Sequence, residues 1–170
     1  AVHLDEEAIG TDAEEIEAAA ERLQALPPST LHEACLLAHA RSALPVRIVD
    51  GAARASLNQQ GLTIVAGIGS DARISLRSAD LVEAAQRLAQ PQECAAELAT
   101  RWSKLSSSDP TAETEARIYR VLAGDDDARS MLRRELVESP EGLLAGIVGA
   151  LIDDTWPCTD VEGIAAGDAM

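Results

Sequence analysis

Apolar residues near the start of the chain recur at helical spacing. Ile16, Ala19, Ala20, Leu23 and Leu26 fall about one turn apart, which lines a single helix face. Thr11 and Glu14, ahead of them, carry the T-x-x-E spacing of a capping box, in which each side chain bonds an orphan N–H of the first turn. Pro27-Pro28 ends the segment, since an interior proline removes a donor and clashes with the preceding turn. Thr30 and Glu33 repeat the T-x-x-E spacing and predict a second helix over Leu31 to Ala43.

The rhythm then changes to period two. Val46 and Ile48, then Ala53, Ala55 and Leu57, then Leu62 and Ile64, then Ile74 and Leu76 alternate with polar or small neighbours. Gly51, the run Asn58-Gln59-Gln60-Gly61 and the run Gly67 to Asp71 punctuate them. Alternation broken by turn residues predicts three or four short antiparallel strands.

Helical spacing returns from Ser78, an N-cap residue, through Leu81, Ala84, Ala85 and Leu88. Pro91 marks a break, and Cys94, Leu98, Trp102 and Leu105 form the next stripe, which ends in Ser106-Ser107-Ser108. Asp109-Pro110 places a proline at the first position of a further helix that runs to Gly124. Asp125 to Asp127 cap another, through Met131, Leu132 and Leu136, and Ser139-Pro140 opens the last. The fold expected is α+β and mostly helical. A small antiparallel β-meander over about residues 46–77 lies between an N-terminal helix pair and a C-terminal helical bundle. Residues 1–91 hold the helix pair, meander and helix, residues 92–157 a helical subdomain, and residues 158–170 an acidic tail, in one compact unit.

Composition sharpens this. Nearly half of the 170 residues are apolar, yet there is no Phe, one Tyr and two Trp. The core must be built from Ala, Leu, Ile and Val, and aromatic platforms for single-stranded nucleic acid are missing. The net charge of −15 argues against binding that works by neutralising phosphates. That charge is segregated: residues 1–26 carry eight acids and one Arg, and residues 135–170 carry eight acids and no base. Between Arg41 and Arg77, five arginines meet only Asp50 and Asp71. Cys35, Cys94 and Cys158 are odd in number and widely spaced, which fits reduced thiols in a cytoplasmic protein. The longest apolar run, Leu143 to Ile152, is too short to cross a bilayer, so no transmembrane segment is expected.

Candidate chemistry is sparse. The stretch "LHEACLLAH" looks like the HExxH pattern of zinc peptidases, but the residue four after His32 is Leu36. The actual triplet, His32, Cys35 and His39, shares one helix face. Its histidines are separated by about 10.5 Å of helix rise, too far for one metal to take all three. Cys35 is expected to pack inward as a small hydrophobe, and no metal site is assigned. Gly67-x-Gly69-x-x-Ala72 follows an apolar strand but precedes another strand-like segment. The dinucleotide fingerprint needs a helix there, so a turn between strands is the reading. No nucleophile elbow, phosphate-binding loop or catalytic triad order is present. Asp125 to Asp127 lacks the spaced ligands of a calcium loop. No catalytic residue and no cofactor is assigned; the remaining enzymatic route would use Asp153, Asp154 or the His32/Cys35/His39 face.

Leu143, Leu144, Ile147, Val148, Leu151 and Ile152 form a broad apolar stripe, with Gly142, Gly146 and Gly149 beside it and Trp156 at its end. Packing within the chain accounts for it, and an interaction surface is the functional alternative.

The segment Ser70 to Pro91 resembles the middle of sterol-carrier-protein type-two-like domains. There a small antiparallel sheet ends in a D-x-x-[IL]-[ST]-[LM] strand, and a polar-x-x-D-[LF] helix start and a proline follow. Asp71, Ile74, Ser75, Leu76, Asp80, Leu81 and Pro91 stand at those places. The resemblance covers residues 46–91. It implies a cavity for a lipid or similar hydrophobic molecule, lined by Val46, Ile48, Leu62, Ile64, Ile74, Leu76 and Leu81. The later strands of that family are missing, because the chain turns helical from Gln92.

These readings lead to a non-enzymatic accessory or regulatory protein that acts through protein–protein contacts, its partner another protein or a second copy. The alternative is a small carrier for a hydrophobic ligand.

Overall fold

A computed structural model describes residues 6–138. The protein is α+β and mostly helical. Helix α1 (Glu6–Gln24) leads through Pro27 into α2 (Pro28–His39). Proline at the first position of α2 suits a site whose N–H has no helical partner. Both expected capping boxes dissolve. Thr11 lies inside α1, which starts earlier, and Thr30 and Glu33 lie inside α2, where both are buried. Ala40 caps α2 in an extended conformation, so the helix does not reach Ala43.

Strand β1 (Leu44–Pro45) is followed by a 3-10 turn, Val46–Ile48, where a strand was expected. The alternating Ala53, Ala55 and Leu57 also do not form a strand. They belong to helix α3 (Gly51–Gln59), capped by Asp50, whose carboxylate accepts from the Ala53 N–H at 2.9 Å. Residues 53 and 57 are one helical turn apart as well as in phase on a strand. The Asp50 cap and three alanines decide for helix, and Ala55 then points to solvent while Ala53 and Leu57 are buried.

Strands β2 (Thr63–Ala66) and β3 (Arg73–Leu76) form a hairpin. Gly67 and Gly69 in its connection both have positive φ, which confirms the turn reading of that stretch. The antiparallel sheet has the order β1-β3-β2 and not chain order. The chain crosses from β1 through α3 to β2, and β3 returns between them. Leu44 pairs with Ile74 on one side of β3, and Val65 pairs with Ile74 on the other.

Four more helices follow: α4 (Ala79–Leu88), capped by Ser78; α5 (Pro91–Ser103); α6 (Pro110–Leu122), capped by Asp109; and α7 (Asp126–Glu138). One continuous core runs from Ala19 in α1 to Tyr119 in α6, through Leu23, Leu36, Leu57, Ile74, Leu81, Leu98 and Trp102. A small satellite of Ile118, Val121 and Leu132 joins α6 to α7. No helix among the described residues is long and apolar enough to cross a membrane.

In this aromatic-poor core, Trp102 and Tyr119 are almost fully buried. The Tyr119 hydroxyl accepts from the backbone N–H of Arg41 at 2.8 Å, which anchors the loop between α2 and β1. Burial pushes the Tyr119 phenol up, so it stays protonated. Tyr119→Phe should lower stability in chemical denaturation by about 1–3 kcal/mol, since it leaves the Arg41 N–H unpaired. Trp102→Ala should cost about 3–5 kcal/mol through the cavity it opens.

Candidate functional site

The most tightly organised polar group joins α2 and α5. Glu33 lies in the stretch of α2 where Ala34, Cys35, Leu36, Leu37 and Ala38 are also buried. It needs a cation inside the core, and α5 supplies Arg101, placed between buried Leu98 and Trp102. The guanidinium grips Glu33 with both arms, Nη1 to Oε2 at 2.8 Å and Nη2 to Oε1 at 2.5 Å. Nη1 also donates to the Ile48 carbonyl at 3.0 Å, and Glu33 accepts from the Asp50 N–H at 3.3 Å. The pair thus holds α2, α5, the 3-10 turn and the cap of α3 together. Its hydrogen bonds to Glu33 raise Arg101 above the usual guanidinium range.

Glu97, one turn before Arg101, accepts from Arg101 Nε at 3.0 Å and bonds His32 Nε2 at 2.6 Å. Burial pushes the Glu97 carboxyl up, but the hydrogen bonds and charges of Arg101 and His32 outweigh it and hold it below the usual carboxylate range. A groove of about 990 Å³ opens beside this cluster, with Arg47, Asp50, Glu93, Glu97, Arg101 and Lys104 among its walls. Both cluster carboxylates face the Arg101 guanidinium. Arg47 reaches Asp109 across 3.6 Å.

The residues singled out in "LHEACLLAH" go separate ways. His32 is half-exposed on Glu97, Cys35 is buried in the core, and His39 closes the last turn of α2. Burial lowers the pKa of His39, opposed by the backbone of Ala89 and Gln86. Among the described residues no three His, Cys, Asp or Glu side chains are grouped to hold a metal. Cys94 on α5 is buried like Cys35, and both are free thiols. Burial first, then the neighbouring Cys35, Glu97 and Glu93, push Cys94 up to about 11.

Of the residues expected to line a lipid cavity, Leu62, Ile74, Leu76 and Leu81 pack within the main core, with Val46 and Ile48 half-buried against it. Ile64 points the other way and is exposed. Only Ile48 of the seven borders the groove. The interaction stripe Leu143, Leu144, Ile147, Val148, Leu151, Ile152 and Trp156 lies outside the described residues, as do Asp153 and Asp154.

A second feature was not anticipated. The sheet has two edges, treated differently. β1 is two residues long, buried, and ends in Pro45, which cannot donate to a further strand. β2 is open. From Ile64 to Ile68 every residue is exposed, with Ile64 at 48%, Val65 at 44% and Ile68 at 92%, and none is charged. The Arg77 N–H donates to the Leu62 carbonyl at 2.9 Å. Pair alternation therefore turns Ile64 and Ala66 toward β3 and directs the N–H and C=O of Val65 outward. A free, uncharged edge is a template for another strand.

The expected alternation holds at Leu62, which is buried in the core, and fails at Ile64, which is exposed. Thr63 is buried and Ile64 is out, because Val65, and not Ile64, stands opposite buried Ile74. A one-residue change of phase exchanges the two faces. The ion cluster did leave a signal: Glu33 and Arg101 each interrupt an apolar stripe, and an uncompensated charge there would be prohibitive.

Fold and site define a small α+β protein whose internal charges are closed upon each other and whose sheet is open at one edge. No family model, curated protein or solved structure matches this chain.

Glu33→Ala should destabilise by about 3–5 kcal/mol, because it strands the buried Arg101 charge. The double change Glu33→Leu/Arg101→Met should recover most of that loss in the same denaturation series. The raised thiol pKa values carry a separate expectation. In a Cys158→Ser background, Ellman's reagent should titrate neither Cys35 nor Cys94 in the native state at pH 8, and both after denaturation. Because folding raises the Cys94 pKa, its contribution to stability is complete below about pH 9. It should fall away as pH rises toward 11.

Proposed function

We propose that this chain is a non-enzymatic accessory or regulatory protein that works by protein–protein contact, with the β2 edge as its docking element. One observation carries the reading: the uncharged, exposed run Ile64 to Ile68 at the edge of the sheet that no described strand covers, in a protein of net charge −15. Isolated exposed apolar residues are ordinary, but a contiguous apolar strand edge marks a place where another chain adds. The ordered interior supports the same reading. The Glu33–Arg101–Glu97–His32 cluster pairs its charges internally, as a structural brace does. The buried free thiols Cys35 and Cys94 support a reducing, cytoplasmic setting.

Val65→Pro tests this. Proline there removes an N–H that β3 does not use and is tolerated at a sheet edge. Immobilised protein should retain a defined partner from a lysate of its own cells, and Val65→Pro should lose at least nine-tenths of that retention while its circular dichroism is unchanged. Retention indifferent to Val65→Pro removes β2 from the interface. A monomer that retains nothing removes the reading.

A further inference from the structure

We propose that the β2 edge takes an extended acidic segment of a partner protein, whose carboxylates, four residues apart, meet Arg73 and Arg77. This rests on the reading of the chain as a docking protein and names the chemistry of the docked strand.

On the outer face of the hairpin, β3 presents Arg73, Ser75 and, just past its end, Arg77. Opposite them stand Ala66, Ile64 and Leu62 respectively. Two cations therefore flank one exposed isoleucine, spaced by four residues, or about 13 Å of strand. Both arginines are exposed, and neither is paired with a carboxylate among the described residues. Arg73 spends one donor on the Ala43 carbonyl, at 3.1 Å, and keeps the rest of its fork. The acids nearest in sequence are Asp71, exposed at the hairpin tip, for Arg73, and Asp80 in the first turn of α4 for Arg77.

A strand added to β2 lies about 10 Å from β3, two strand spacings away. An arginine reaches across that gap only where the strand between carries little bulk. Such room exists at both places. Arg73 faces Ala66, a single methyl, and the Arg77 guanidinium already lies beside Gly61, with Nη1 3.9 Å from where a Cβ on Gly61 would sit. Arg73 can therefore lean over β2 at Ala66, while Arg77 passes the start of the strand at Gly61. The incoming strand best matched to this surface alternates acid, apolar, acid on its outer face, the apolar side chain against Ile64 and the acids beneath the arginines. A second copy of β2 offers no acid at those positions, so charge disfavours pairing of two β2 edges with each other.

The probe is a fluorescein-labelled peptide, T-E-T-V-T-E-T, followed by fluorescence anisotropy against the full-length chain, beside a T-K-T-V-T-K-T control. The glutamate peptide should bind saturably and about tenfold more tightly than the lysine peptide, as two exposed ion pairs allow. That preference should shrink in 0.5 M NaCl. Val65→Pro should abolish binding of both peptides. Arg73→Glu/Arg77→Glu should invert the preference, a gain of lysine-peptide binding that misfolding cannot produce. Equal binding of the two peptides overturns the acidic assignment and leaves edge docking in place. A dimer in light scattering that Val65→Pro converts to monomer overturns it by giving the edge to a second copy. Binding of neither peptide overturns it too, while partner retention, which does not depend on these peptides, still decides the docking reading.

Discussion

The Glu33–Arg101 pair is the constraint around which the rest of the structure is arranged. Two charges inside a core lose hydration worth several kcal/mol each, and only a complete set of partners offsets that loss. Here the set is complete. Both carboxylate oxygens take the guanidinium fork, the remaining donors go to Glu97 and the Ile48 carbonyl, and the Asp50 N–H caps the carboxylate. A pair satisfied in this way has few alternative arrangements, so it fixes more than the approach of α2 to α5. It also sets where the chain leaves the 3-10 turn and where α3 begins.

That last point governs the sheet. With α3 started at Gly51 by Asp50, the chain must cross from β1 to β2 through a helix. β3 then fills the place between them. Both outer strands are thereby edges. The β1 edge is shut by its brevity and by Pro45, so among the described residues the open edge is that of β2. The open edge follows from the ion pair through the α3 crossover, although the two lie in different parts of the fold.

Much of this was legible in the chain, and the failures share a cause. The starts at Asp109-Pro110 and Asp125 and the Ser78 cap appear as read, and the break at Pro91 is also the first residue of α5, because caps and prolines act locally. The errors fall where one pattern serves two structures. T-x-x-E at Thr30 and Glu33 fits a capping box, but Pro28 begins the helix earlier and turns Glu33 inward. Ala53, Ala55 and Leu57 fit a strand and a helix alike until the Asp50 cap is counted. Ile64 and Val65 are both apolar, so alternation alone cannot choose between their faces; Val65 stands opposite buried Ile74, yet at this open edge both stay exposed. The site was less visible than the fold, since it depends on partners distant in sequence: residue 33 with 101, and the edge of β2 with the shortness of β1.

The charge distribution ties these threads together. Of the five arginines between Arg41 and Arg77, three lie off the hairpin and are bound to neighbours; Arg73 also donates to the Ala43 carbonyl. Arg41 meets Glu115, Arg47 meets Asp109, and Arg54 donates to the Val46 carbonyl. Arg73 and Arg77, on the hairpin, are left facing outward. A chain so acidic overall has abundant carboxylates to neutralise them, yet none of the described ones does. Exposed cations beside an apolar edge make strand addition more selective, because they repel basic strands that the bare backbone would accept. On the proposal that β2 takes an added strand, the same two side chains would favour an acidic one.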